Sequence, residues 1–342
     1  MVFVMLFTRC DKAPEVELVD IPDWAFYEAL LLAGVDADGD LDISVPEAEA
    51  TTYLDVSGEY VSGEPEYVGN ITDLTGIEAF INLDTLVVSY NRITDLDVSI
   101  FTGLIKLGCM ENQLSSVDVS NNLLLEDLNC SQNDLTTLDI SNNTNLRALQ
   151  CWDVQLSTLD ISDLPQLEYL DCSSNQITDL DLSNNPALRV LLCQDNQLTS
   201  LDASNNPALE ILNCVSLNSS YRISTLDLSN SPLLKRLSCQ GNQLSSLDLS
   251  SNPALLYLEC SENQLSSLEL SAQTALTELY CDGNQLSGLD ISNNILLTQI
   301  YLRDMPTLYE VCVWNTPFPP PYGIRVVTQN SPNIYFTTNC SL

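Results

Sequence analysis

The sequence predicts a solenoid of parallel β ladders, built from short turns with little helix and closed by a small helical cap at one end and a β-containing cap at the other. Three observations predict it. One phrase, Leu-x-x-Leu-x-Cys-x-x-Asn-x-Leu-x-x-Leu-Asp-x-Ser-x-Asn-x-x, recurs through residues 104–296. Cysteine keeps its period: Cys109, Cys130, Cys151, Cys172, Cys193 and Cys214 fall 21 residues apart, one step of 25 reaches Cys239, and Cys260 and Cys281 resume the 21. So short a turn, finally, leaves too little chain for a full helix on its return side. Each turn is therefore expected to hold two short strands, one at Leu-x-Cys and one at Leu-Asp-x-Ser, stacked about 4.8 Å from their neighbours. In such a chain each repeat buries its apolar face only against the next.

Residues 1–20 are read as a signal or lipoprotein remnant, or a linker. The apolar run Val2–Phe7 is short for an export signal and lacks a basic start. Cys10, followed by Asp11 and Lys12, resembles the lipidated cysteine of a bacterial lipoprotein, although Phe7-Thr8-Arg9 lacks the small residues expected before it. A lipid anchor, a truncated start and an ordinary N-terminus all stay open.

Residues 21–82 form the expected N-terminal cap. In IPDWAFYEALLLA, Asp23 can cap a helix on which Trp24, Tyr27, Leu30 and Leu31 follow helical spacing. The next stretch resembles a calcium loop of the EF-hand type. Asp36, Asp38 and Asp40 stand at loop positions 1, 3 and 5, Ile43 at 8, and Glu47 at 12 for bidentate ligation. The carbonyl of Asp42 and a water held by Ser44 would complete the oxygen shell. The sixth position, usually glycine, is Leu41, whose left-handed backbone would cost on the order of 1 kcal/mol. Calcium here would be structural, because no second hand is present to pair with the first; a solvated acidic turn is the alternative. Leu54-Asp-Val-Ser then looks like a first half-turn, Glu59–Gly69 is an acidic excursion, and Thr72–Ile81 connects to the first full turn at Leu83.

Residues 83–308 are the solenoid proper. Leu104, Leu107, Cys109, Leu114, Val117 and Val119 are expected to point inward, with their equivalents stacked on them. Asn112, Asn133, Asn175, Asn196, Asn242, Asn263 and Asn284 should lie buried at a bend and satisfy backbone groups there. Val154 and Leu217 interrupt that column. These repeated residues resemble the leucine-rich-repeat family, in the 21-residue class of secreted and surface proteins of Bacteroidota-type bacteria, over roughly residues 21–342. The last turn, Leu297–Leu308, has Leu302 in the cysteine place. Residues 309–342 leave the pattern and are expected to form a C-terminal cap with strands at 324–328 and 334–337. Nine of the twelve cysteines occupy one inward column, as small apolar residues. Cys312 and Cys340 stand outside it and can bridge in an oxidising compartment.

Composition narrows function. The chain of 342 residues carries 47 acidic against 11 basic residues, net −36, which disfavours nucleic acid and anionic membrane surfaces; membrane attachment would require the lipid anchor. It has no histidine, which removes Ser-His-Asp and Cys-His catalysis and histidine metal sites. Carboxylates are plentiful but repetitive, with no unique pair to serve glycoside hydrolysis, so the chain is read as no enzyme. A column runs through Asp97, Asp118, Asp139, Asp160, Asp181, Asp202, Asp227, Asp248, Glu269 and Asp290, each with serine two residues on. Such neighbours repel by roughly 0.9 kcal/mol even in bulk water. Hydrogen bonds to serine and backbone, or a row of weak divalent-cation sites, would offset this; ice binding is a third reading, less suited to charge than to threonine.

Repeat proteins bind through variable positions beside the repeated strand. Here those are mostly small or acidic, except for Trp152 and Tyr169 in adjacent turns, and Tyr257, Tyr280 and Tyr301 with Arg303 nearby. The four-residue insertion in Val215–Ser224 adds Tyr221 and Arg222. By resemblance, the chain is an extracellular or outer-surface adhesion module, secreted or lipid-anchored, that recognises a protein or glycan. The alternative is a self-assembling surface layer or fibre, bridged by calcium.

Overall fold

The computed structural model describes residues 16–58, 70–217, 220–320 and 323–341. Cys10 and the excursion at 59–69 lie outside the described residues. The chain winds as a solenoid whose main element is a 13-stranded parallel sheet of three-residue strands. They are Tyr53–Asp55, Thr85–Val87, Lys106–Gly108, Asp127–Asn129, Ala148–Gln150, Tyr169–Asp171, Val190–Leu192, Ile211–Asn213, Arg236–Ser238, Tyr257–Glu259, Glu278–Tyr280, Gln299–Tyr301 and Arg325–Val327. Register is constant, with Leu107, Leu128, Leu149 and Leu170 opposite one another. The period forces this, because a slip of one residue would turn the leucine row to solvent. The central residue of every strand but the last, where Val326 is half buried, lies in the core, while most residues flanking it are half exposed.

Among the described residues, the second strand of a turn forms in only two places. Ser200–Asp202 pairs with Thr225–Asp227, and Gly288–Asp290, Glu310–Cys312 and Tyr335–Thr337 form a three-stranded ladder. Elsewhere side chains take over the stitching. Asn143 Nδ2 donates to the carbonyls of Val119 and Asn122, at 3.0 Å each, one turn back. Asn122, Asn185, Asn206, Asn252 and Asn294 do the same in their turns. This second asparagine column is the nineteenth residue of the repeated phrase. Its Oδ1 atoms are buried without a partner.

The first column makes more bonds. Asn133 Nδ2 donates to the carbonyls of Cys109, Cys130 and Ser131, and its Oδ1 accepts from Leu114 N at 3.0 Å. Asn91, Asn112, Asn175, Asn242, Asn263 and Asn284 repeat the pattern, and Asn196 does so with two carbonyls. Val154 fills its place as a buried apolar residue, leaving Leu135 N–H without an acceptor among the described residues. Leu217 does not sit inside at all: it is 60% exposed, because the inserted residues carry the chain outward there, and Leu198 N–H lacks an acceptor likewise. The cysteine column is fully buried as free thiols, with burial pushing Cys130, Cys172 and Cys214 up to about 12.

At the N-terminal end, helix α1 (Trp24–Leu32) starts at Asp23, whose Oδ1 accepts from Ala25 N and Phe26 N. Its Oδ2 accepts from Thr72 N, Thr72 Oγ1 and Asp73 N, tying the helix to the first turns. The face it buries is Phe26 and Leu30; Trp24 is 67% exposed and stacks on Tyr27 instead. Helix α2 (Val45–Ala50) begins with a Ser44–Glu47 capping box. Between Thr72 and Ile81 only a short 3₁₀ turn, Ile77–Ala79, forms. At the other end the winding does not stop at Leu308. Arg325–Val327 joins the long sheet and Tyr335–Thr337 the short one, so the segment after 309 carries a further turn around the WNTPFPPPYG loop. No helix among the described residues is long and apolar enough to cross a membrane.

Candidate functional site

Flanking positions of each three-residue strand face outward, and constant register lines them into columns about 4.8 Å per step. The first position runs Tyr169, Val190, Ile211, Arg236, Tyr257, and the pairing is continuous through all five. Val190 and Ile211, with Leu192 and Val215 beside them, make a half-exposed apolar stripe between Tyr169 and Arg236. Sequence reading missed Val190, Leu192 and Ile211, since an aliphatic residue next to a core leucine is not distinguishable from core until the strand phase is known.

The stripe leads into a tyrosine ladder. Tyr257 and Tyr280 have ring centroids 5.4 Å apart, and Tyr280 and Tyr301 stack at 4.7 Å. Arginines occupy its ends: Arg236 lies 4.2 Å from the Tyr257 ring, and Arg303 and Arg325 lie 5.4 and 5.3 Å from that of Tyr301. Arg303 is anchored by the buried Asp282, with Nη2–Oδ2 at 2.8 Å and a further bond from Arg303 N. Arg236 and Arg325 have no ion-pair partner among the described residues. Tyr280 Oη is 2.9 Å from Glu278 Oε2 and 3.2 Å from Gln299 Oε1. Burial, then Glu278, hold the Tyr280 phenol well above its ordinary range, and burial also raises Tyr257 and the carboxyl of Glu259. Arg303 is paired, whereas Arg236 and Arg325 bring charge to the rings without an ion-pair partner among the described residues.

Trp152 and Tyr169 do not join each other. Tyr169 is opposite Ala148, and Trp152 is four residues further along the strand, about 13 Å of extended chain. No ring contact links them among the described residues.

In the acidic loop, Asp36, Asp38 and Asp40 place their carboxylates within 4.8 Å of one another, a cluster that could hold a metal ion. Leu41 has φ of +71°, the left-handed turn the loop requires of its sixth residue. Tyr27 Oη hydrogen-bonds the Leu41 carbonyl and braces it. Glu47 is held against the loop by hydrogen bonds: its Oε1 accepts from Ala37 N at 2.8 Å and its Oε2 from Ser44 N and Oγ. Those bonds, the Ser44 hydroxyl first, lower its carboxyl below the ordinary value.

The acidic column is handled by hydrogen bonds. Nine aspartates, from Asp97 to Asp290, accept from the backbone N–H of the serine two residues on, at 2.8 to 3.1 Å. The Ser120 and Ser162 hydroxyls, then their N–H groups, hold Asp118 and Asp160 below the usual carboxylate value, and the Ser141 N–H, then its hydroxyl, does the same for Asp139. A groove of about 580 Å³ opens along this side between Ser200 and Ser251, beneath the insertion. Cys312 and Cys340 are joined by a disulfide with Cα atoms 5.6 Å apart.

No protein-family model matches the chain, and no curated protein matches it. Among solved structures, the functional domain of InlJ from Listeria monocytogenes, described as including a cysteine ladder, is 28% identical over 84% of this chain and 76% of that one, with a TM-score of 0.52. An internalin (inlF) from Listeria monocytogenes is 20% identical, covers 94% of this chain and 96% of that one, and has a TM-score of 0.71. The LRR ectodomain of the plant membrane receptor kinase GASSHO1/SCHENGEN3 from Arabidopsis thaliana, in complex with CASPARIAN STRIP INTEGRITY FACTOR 2, is 16% identical over 76% of this chain and 39% of that one, at a TM-score of 0.57. The chain has the leucine-rich-repeat fold.

Proposed function

We propose that this chain is a non-catalytic extracellular or cell-surface module that binds a protein partner, in an adhesive role, across the outer face of its long sheet. One observation carries the reading: the continuous column from Tyr169 through Val190, Ile211 and Arg236 to Tyr257, carried on by the Tyr257–Tyr280–Tyr301 ladder, with Arg236 and Arg325 at the ladder's two ends and without an ion-pair partner among the described residues. Tyrosine and arginine over an apolar base are the composition of interface anchors. A glycan is the weaker occupant, because sugar rings stack on free aromatic faces. Here those faces are taken by one another and by guanidinium groups. The internalin-type and ectodomain neighbours support the surface role and the protein partner. Retention of this protein on its producing cells' binding targets should be lost on Tyr280→Ser with Tyr301→Ser; unchanged retention by that folded double variant would move the site elsewhere.

The acidic loop is proposed to hold calcium as a structural ion through Asp36, Asp38 and Asp40, with Asp42, Ser44 and Glu47 recruited when Glu47 leaves its backbone partners. Millimolar calcium should then give binding heat, and chelator should lower the melting temperature; silence in both would remove calcium from the account. The self-assembly reading has its own observation, since Arg325–Val327 and Tyr335–Thr337 are each paired along one edge only. Light scattering in calcium and in chelator separates the two: a monomer of 37.7 kDa in both supports the binding module.

A further inference from the structure

The three-stranded ladder at the C-terminal end differs from the rest of that side of the solenoid. Register places Asp290 opposite Cys312, and Cys312 opposite Thr337. Leu289 and Val311 take the inward place of their strands, so Glu310 and Cys312 point away from the core. Both are nevertheless buried, because the tail lies over them: Glu310 accepts from Ser341 N at 2.9 Å and from Ser341 Oγ, and Cys312 bonds Cys340. Under this tail Asp290 is half buried, with its carboxylate and the two sulfurs all within 4.8 Å of one another. Asp290 thus has what no other member of the acidic column has among the described residues, a pair of cysteines outside the core column at its side.

We propose that Asp290, Cys312 and Cys340 form a redox-gated site for a soft divalent metal ion of the zinc class. Oxidised, the cysteines are each other's ligand and the site is shut. A dithiol reductant opens it: the S–S bond takes two electrons and two protons to give two thiols, and the reductant becomes its own disulfide. The metal then binds two thiolates and the Asp290 carboxylate, releasing the two thiol protons, with water in the fourth position. Two sulfurs and one carboxylate suit zinc and cobalt and disfavour calcium. The 5.6 Å between the two Cα atoms lets both side chains reach a common centre with little backbone movement. Cys340 is exposed, which gives reductant and metal their way in, while the nine column thiols are sealed in the core.

Cobalt(II) is the probe, because thiolate ligation gives it a near-ultraviolet charge-transfer band. The folded, reduced full chain should bind one equivalent with that band, and the oxidised chain none. Asp290→Asn keeps the disulfide and should bind about tenfold or more weakly when reduced. Cys340→Ser should lose the band, and circular dichroism verifies that it is folded. The proposal is overturned if reduced wild type shows no more band than Cys340→Ser. It is overturned equally if Asp290→Asn binds cobalt as tightly as wild type.

Discussion

The two asparagine columns use one residue type under the same periodicity and reach different ends. At the first, one side chain closes four contacts: Asn133 bonds three carbonyls and one N–H across two turns. At the second, Asn143 bonds two carbonyls with its amide and leaves its Oδ1 buried and alone. The difference lies in the backbone each serves. Beside the long sheet, the chain leaves the strand through a left-handed residue, such as Gln132 at φ +52°, and strands several polar groups at once. On the opposite side strands rarely form, and the asparagine only bridges carbonyls that no ladder would reach. A buried polar side chain therefore stabilises in proportion to the backbone groups it completes, not to its burial.

Breaking the first column should cost most. Asn133→Ala leaves buried donors and acceptors open and should lower unfolding stability by roughly 3 to 5 kcal/mol, read by urea denaturation. Asn143→Ala, which loses two bonds and removes an oxygen already alone, should cost about 1 to 3 kcal/mol on the same measurement. Equal losses would dissolve the distinction. A smaller effect of opposite sign sharpens it. Val154→Asn supplies the missing acceptor for Leu135 N–H at nearly unchanged volume and should stabilise by about 1 kcal/mol. The smallest effect is on the acidic column. Its aspartates have folded values depressed by their serine bonds, so their contribution is complete above the unfolded carboxylate value of about 3.9. It is lost as pH falls through the lower folded values. Asp139→Asn should flatten the acid limb of the stability profile slightly and leave neutral pH nearly untouched; an identical acid limb would show that the Ser141 bonds are spectators.

Much of this was legible in the residues. The cysteine and leucine period determines the positions and register of the long sheet's strands because one geometry alone buries their central leucines, but it also implied a second strand in every turn, which forms in only two places among the described residues. Asn133 and its equivalents were readable as buried, since polar residues in an apolar frame need backbone partners, although Asn112 is only half buried. Leu41 was readable as left-handed from the spacing of Asp36, Asp38 and Asp40. Other features were hidden for physical reasons. Asn143 sits in a Ser-x-Asn phrase that reads as an ordinary turn, and its bonds go to carbonyls 21 and 24 residues back. Arg236 and Arg325 gain their place only through ring contacts across turns. The strands at 324–328 and 334–337 were anticipated, but their place in the winding was concealed because WNTPFPPPYG breaks the count, and Leu217 was misplaced because an insertion shifts phase while leaving the pattern intact.

Val154 and Leu217 have a consequence for how the molecule breathes. Each leaves one backbone N–H, on Leu135 and on Leu198, outside the bonding that runs through the first column. The column is thereby cut into three runs: Asn91 to Asn133, Asn175 to Asn196, and Asn242 to Asn284. Nearest-neighbour chains open where the interface between units is weakest. The solenoid is thus a train of three cooperative blocks with couplings at these two joints, and amide exchange should follow the blocks, not the individual turns.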